Sequence, residues 1–256
     1  MKHWIDATIY IYPQDHRPSN LIYDAFKMPG KTLVVLGSGP GIGVGVASTF
    51  SVRGFTHIAL VSRDDARLKK DQDTVLDAIQ ERGYSCQVRS WPCDLTDFDQ
   101  LAKILGEIEK FGQLECVLFN AARVAGQPPL DETIEQIEKD FRLTNIALYK
   151  VAEWAIPLLR QAGSDNSPSL FVTSTTLLYK EPVPDLVSLS MVKSAQRALV
   201  LSLNAKYEDV HIALLSIGGV VSPEATNLSP ENIAQKCWEF YKQPRTNWKK
   251  EMEIHE

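Results

Sequence analysis

Cysteine is scarce in this 256-residue sequence: Cys86, Cys93, Cys116 and Cys237 are the only four, and no two stand in a CxxC spacing. That spacing excludes a disulfide-stapled small domain and points to reduced thiols in a cytoplasmic protein. Histidine is equally sparse. His3, His16, His57, His211 and His255 are far apart, with no HExxH and no His/Cys cluster, so no metal site is expected. A GxSxG elbow is absent, which removes the serine hydrolases of that type. Positive charge is in deficit, with 27 Lys and Arg against 32 Asp and Glu, a net charge of −5. No global basic field is available to hold nucleic acid, and pairs such as Lys69-Lys70 read as solvated faces. No apolar run approaches the roughly 18 residues of a membrane span. The N-terminal stretch is broken by Asp6, Gln14, Asp15, His16 and Arg17, so neither membrane nor secretion is expected.

What remains is an ordinary globular balance, 44% hydrophobic and 23% charged, enough for one large α/β domain. Residues 1–30 hold aromatics (Trp4, Tyr10, Tyr12, Tyr23, Phe26) and prolines without sustained periodicity. They read as an N-terminal extension to a single domain over 31–256. From Lys31 the pattern is regular. Apolar, β-branched runs predict strands at Thr32–Leu36, His57–Val61, Cys86–Trp91, Leu114–Phe119, Leu170–Thr173 and His211–Ile217, with Trp248–Ile254 as an edge strand. Helical patterns fall between them, at Ile42–Phe50, Ala66–Arg82, Phe98–Phe111, Ile134–Leu159, Leu186–Tyr207 and Pro230–Tyr241. Strands alternating with such helices imply βαβ crossovers, hence a doubly wound parallel sheet of about seven strands: a Rossmann fold.

Between the first strand and the first helix stands Leu36-Gly37-Ser38-Gly39-Pro40-Gly41-Ile42-Gly43. A pyrophosphate needs backbone amides at close range and the positive end of a helix dipole, and side chains would obstruct that approach. Gly37, Ser38, Gly39, Gly41, Ile42 and Gly43 are therefore expected to bind a dinucleotide, with the glycines giving the turn and the clearance.

The spacing Gly37-xxx-Gly41-x-Gly43 resembles the TGxxxGxG turn of the short-chain dehydrogenase/reductase family, with Leu36 at the usual threonine. Further landmarks follow in order. Asp94-Leu95 resembles the family's adenine-contacting pair, and Phe119-Asn120-Ala121-Ala122 its NNAG segment. Asn145 resembles its helix-four asparagine, and Lys193 the lysine of its YxxxK motif. The resemblance covers about residues 31–241 and implies cofactor contacts from Asp94, Leu95, Asn120, Ala121 and Lys193. It also implies that Val220 and Ser222, after the sixth strand, run past the nicotinamide. Arg63, in Val61-Ser62-Arg63-Asp64-Asp65, stands where NADP-preferring members place an arginine for the 2′-phosphate. NADP(H) is therefore favoured over NAD(H), which Asp64 keeps open; the other reading makes Asp64 or Asp65 a helix cap.

The family's tetrad implies catalytic roles for Asn145, for Thr175 in the serine's place, and for Lys193. Four residues before Lys193, where tyrosine is expected, stands Leu189. Tyr179 is a candidate substitute proton donor, and Arg123 either anchors an anionic substrate group or sits in an ion pair. The expectation is an NADP(H)-dependent reductase of a small organic substrate with an altered proton donor. The alternatives are a family-derived non-redox isomerase or cyclase, and a non-catalytic NADP(H)-binding protein. A homodimer or homotetramer pairing through the long helices at Ile134–Leu159 and Leu186–Tyr207 is also implied.

Overall fold

A strand buried along its whole length needs a helix layer on each face, and the five central strands of this sheet are nearly of that kind. In the computed structural model, which describes residues 30–162, 167–176 and 183–256, the first strand β1 (Lys31–Leu36) is buried from Thr32 to Leu36. Residues 1–29, and so nearly all of the expected extension, lie outside the described residues, as does Tyr179. Six more strands follow: β2 (His57–Ser62), β3 (Gln87–Pro92), β4 (Gln113–Phe119), β5 (Ser169–Thr175), β6 (His211–Ile217) and β7 (Glu251–Ile254). They form one sheet in the order β3-β2-β1-β4-β5-β6-β7, and every pairing is parallel.

Alternation along the strands sorts the core into two layers. Leu33, Val35, Ile58, Leu60, Leu118, Phe171 and Leu215 face one side, against α1 (Ile42–Ser51), α2 (Asp65–Glu81) and α7 (Pro230–Tyr241). Val34, Leu36, Ala59, Val61, Val117, Phe119, Val172 and Leu214 face the other, against α3 (Phe98–Glu109), α5 (Ala147–Gln161) and α6 (Val187–Lys206). The period of two in a strand makes this division automatic once the register is set. Helix starts are fixed by side chains: Asp64, Asp97 and Ser229 accept from the amides of Arg67, Gln100 and Asn232. Strand order reverses at β1, so the crevice at the carboxyl ends of β1 and β4 is the topological switch point.

One long helix, Ile134–Leu159, was expected where the structure has three segments. Helix α4 (Ile134–Phe141) passes through a π-helical turn at Arg142–Ile146 before α5 begins. The extra residue of that turn is held by tertiary hydrogen bonds, from Gln196 Nε2 to Thr144 O (2.9 Å) and from Asn145 Nδ2 to Val192 O (3.1 Å). Apolar periodicity carries no trace of them. On α4, the π turn and α5, Ile134, Phe141, Ile146 and Tyr149 are exposed, as is Met191 on α6. Helix α6 with the preceding turn is long and apolar, with a mean hydropathy of 1.2. It nonetheless packs on the sheet and buries Lys193 and Gln196.

His211 makes the fold sensitive to acid. It opens β6 fully buried, stacked on Trp248 at 4.9 Å and edge-on to Phe171 and Phe240. Its Nε2 faces Lys249 O at 3.0 Å, so that nitrogen carries the proton, while Nδ1 is buried without a partner. Burial lowers its pKa to about 4. Between there and the unfolded value of about 6.5 the unfolded chain binds more protons, so stability falls as pH drops through that window. The loss should be on the order of 3 kcal/mol. Urea unfolding from pH 7 to 4 should show a fall that His211→Asn flattens; parallel pH profiles would refute it.

Candidate active site

The turn after β1 is built by close approach. Gly37 takes φ +88° with its amide, and that of Ser38, donating to Val61 O at 2.9 Å each. A Cβ on Gly37 would lie 2.6 Å from Ala121 N. A Cβ on Gly43 would lie 3.1 Å from Ser38 Cα, so the clearance there is filled by the chain's own loop. At Gly39 and Gly41 a Cβ would meet nothing within 4 Å. Helix α1 starts after Gly41 with no side-chain cap, leaving its first amides for another acceptor. That loop fits the phosphates of a dinucleotide: amides at a helix start, open space above Gly39 and Gly41, no carboxylate on the helix's first turn.

Beside it lies a cavity of about 730 Å³ at the switch point. Of the residues singled out in the sequence, it collects Gly37, Ser38, Gly39, Arg63, Asp64, Asp94, Leu95, Asn120, Ala121 and Arg123. Asn120 fixes two walls together. Its amide donates to Leu36 O (2.7 Å), Nδ2 donates to Gly37 O (2.9 Å), and Oδ1 accepts from Thr173 Oγ1 (2.8 Å). Asp94 Oδ1 accepts from the amide and hydroxyl of Thr96, which holds its carboxyl below the usual range. Gly41, Ile42 and Gly43 are not in this cavity wall; Gly41 borders a second cavity of about 640 Å³ along α1.

The end of β2 carries two arginines, Arg63 and Arg67, among the carboxylates Asp64, Asp65 and Asp71. Asp64 Oδ1 accepts from Arg67 N (3.0 Å), so this carboxylate caps α2. Arg63 is exposed on the cavity and forms no ion pair among the described residues. Arg67, absent from the sequence-level set, lines the cavity too; only its spacing of four from Arg63 could have signalled it. Arg123 also lines the cavity, but its guanidinium is engaged in ion pairs. Its Nε donates to Asp140 (3.0 and 3.2 Å) and Nη2 to Glu132 (2.7 Å), which raises its pKa. Asp140, buried, also accepts from Gln136 Nε2 (2.8 Å) and Ser188 Oγ (2.7 Å).

Asn145 and Lys193 form a separate cluster where the π turn, α6 and β5 meet. Lys193 Nζ donates to Thr173 O (2.8 Å) and Gln196 Oε1 (2.9 Å), and burial lowers its pKa to about 7. Asn145 Oδ1 is buried without a hydrogen-bond partner. A π turn bearing an unsatisfied buried amide oxygen is a common mark of a functional position. Leu189 precedes Lys193 by one turn and is 6% exposed. Thr175 is half-buried at the end of β5. Val220 and Ser222 are not brought to the large cavity: Val220 is 84% exposed, and Ser222 Oγ donates to Glu224.

A family model described as short chain dehydrogenase matches residues 31–232. Versicolorin reductase 1 of Dothistroma septosporum is 30% identical over 153 residues, 57% of this chain and 56% of that protein. The match thus spans little more than half of that relative. The 7alpha-hydroxysteroid dehydrogenase of Escherichia coli is 22% identical over 83% of this chain and 80% of its own. Among solved structures, a metagenomic short-chain oxidoreductase in complex with NADP superposes with a TM-score of 0.75. It is 20% identical, and the overlap covers 88% of this chain and 97% of that one.

Proposed function

Because the chain belongs to the short chain dehydrogenase family, we propose that it is an NADP(H)-preferring oxidoreductase acting as a reductase on a small organic substrate. The observation that carries the cofactor preference is the division of labour after β2. Asp64 holds one carboxyl oxygen on the α2 cap, while Arg63 stands exposed on the cavity with no salt bridge among the described residues. A carboxylate free to receive ribose hydroxyls would favour NAD; a free guanidinium favours a 2′-phosphate.

When bound, the nicotinamide supplies or accepts the hydride. The chain's part is to place it. The uncapped α1 amides receive the phosphates, Asp94 and Leu95 flank the adenine, and Asn120 keeps the two walls apart by a fixed distance. In its protonated form Lys193 has one N–H beyond its bonds to Thr173 and Gln196, which would serve a ribose hydroxyl. No tyrosine stands one turn before it, so the proton for a developing alkoxide comes from another source. Leu189 also supports a second reading, a non-redox isomerase or cyclase, or a protein that only binds NADP(H). Stoichiometric NADPH consumption separates the first reading from these.

The cofactor preference is tested by equilibrium binding. A lost charge-assisted contact to phosphate costs about 1.5–3 kcal/mol. Arg63→Ala should therefore weaken NADPH more than about tenfold and leave NADH nearly unchanged. Equal losses for both cofactors would remove the preference.

A further inference from the structure

The bracket formed by Arg67 at the start of α2 extends this reading and rests on it. Arg67 Nη2 donates to Ser62 Oγ (2.7 Å) and to Ser38 O (3.2 Å). One guanidinium thus joins the β1–α1 loop to the end of β2, the two segments on either side of Arg63's cavity. A second tie lies one turn further along α2, where Ser38 Oγ donates to the buried Asp71 Oδ2 at 2.8 Å. We propose that Arg67 is a positioning and specificity-determining residue for the 2′-phosphate, holding the Ser62 hydroxyl and the phosphate loop in place beside Arg63.

The chemistry follows from counting donors. A serine hydroxyl has one proton to give and two lone pairs. Ser62 Oγ accepts from Arg67 and makes no other hydrogen bond among the described residues, so its proton is left to donate. Its neighbour in sequence is Arg63, and both line the cavity. A phosphate monoester, with several strong acceptor oxygens, suits a hydroxyl donor between two guanidinium groups. Arg67 forms no salt bridge among the described residues, although its charge acts on the carboxyl of Asp71, one turn further along α2. What Asp71 does not offset adds to the charge of Arg63. A ribose lacking the 2′-phosphate gains little from that charge, so the bracket should discriminate between the two cofactors.

The test is isothermal titration of the full chain with NADPH, NADH and 2′,5′-ADP, for wild type, Arg67→Ala, Arg67→Gln and Arg67→Lys. Arg67→Ala is expected to weaken NADPH and 2′,5′-ADP about tenfold or more and NADH less than about threefold. Arg67→Gln keeps an amide donor without the charge and should lose most of the same preference. Arg67→Lys keeps the charge but lacks the planar fork that reaches Ser38 O and Ser62 Oγ together, and should recover less than half of the loss. Equal losses for all three ligands would make Arg67 a structural brace and overturn the proposal. Full recovery in Arg67→Lys would reduce its role to charge and overturn the positioning claim. If wild type binds NADPH no better than NADH, the cofactor reading itself fails. If wild type prefers NADPH and the preference survives in Arg67→Ala, only the present inference fails.

Discussion

Gly37→Ala is expected to lower the melting temperature by about 4–20 °C. Two costs add at this position. A non-glycine residue in the left-handed region costs roughly 1–2 kcal/mol, and Gly37 sits at φ +88°. The new Cβ would also lie 2.6 Å from Ala121 N and 2.7 Å from Ala121 Cα, backbone atoms that cannot swing away. Overpacking of this kind typically adds about 1–3 kcal/mol. Together they come to about 2–5 kcal/mol, and a domain of this size loses roughly 2–4 °C per kcal/mol. The strain would reach the cavity, because Gly37 O holds Asn120 Nδ2 and Asn120 holds Thr173. Gly39→Ala is the control: its Cβ meets nothing within 4 Å, and it should melt near wild type. Thermal unfolding followed by circular dichroism checks both, and a Gly37→Ala melt within about 2 °C of wild type would show the turn to be misjudged.

The contrast between those two glycines marks where sequence reading ran out. Strand and helix positions were legible because burial writes itself into periodicity: β1, β4 and β6 are apolar runs, and α3 and α7 carry apolar stripes behind good caps. The glycine spacing likewise marked the turn. It did not say which glycine serves the chain and which leaves open space; that depends on Ala121 and Ser38, brought near by tertiary folding. The π turn was illegible for the same reason, since Gln196 and Val192 hold it from another helix. Arg123 was left between two roles, and only the placement of Asp140 and Glu132 engages it. Arg67 was missed because surface arginines on a first helical turn are common. Its meaning lies in two oxygens, Ser38 O and Ser62 Oγ, 29 and 5 residues away in sequence.

The proton donor is the point on which activity should turn. The two serines that flank the position one turn before Lys193 are already directed elsewhere. Ser188 Oγ donates to Asp140 Oδ2 (2.7 Å) and Ser190 Oγ to Leu186 O (2.8 Å), while Leu189 itself has none to give. Lys193 is turned to Thr173 O and Gln196 Oε1, with its pKa lowered to about 7 by burial. General acid assistance usually contributes about 10²–10⁴-fold to a step that builds an alkoxide. On the proposed reading, wild type should reduce simple ketones slowly with NADPH, and Leu189→Tyr should raise that rate by about 10²-fold or more. The phenol would stand at i and Lys193 at i+4, on one face of α6, where the lysine in its protonated form favours phenolate by its positive charge. Leu189→Phe supplies the ring without the hydroxyl and should stay at the wild-type rate, which separates proton transfer from a change in packing. NADPH affinity and melting temperature should be measured alongside, because a tyrosine forced into a site only 6% exposed can cost stability. If Leu189→Tyr folds and binds NADPH as wild type does and the ketone rate stays flat, the site does not perform carbonyl reduction. A wild-type rate already equal to that of the tyrosine variant would mean that another group delivers the proton, and the assignment of the gap to Leu189 would fall.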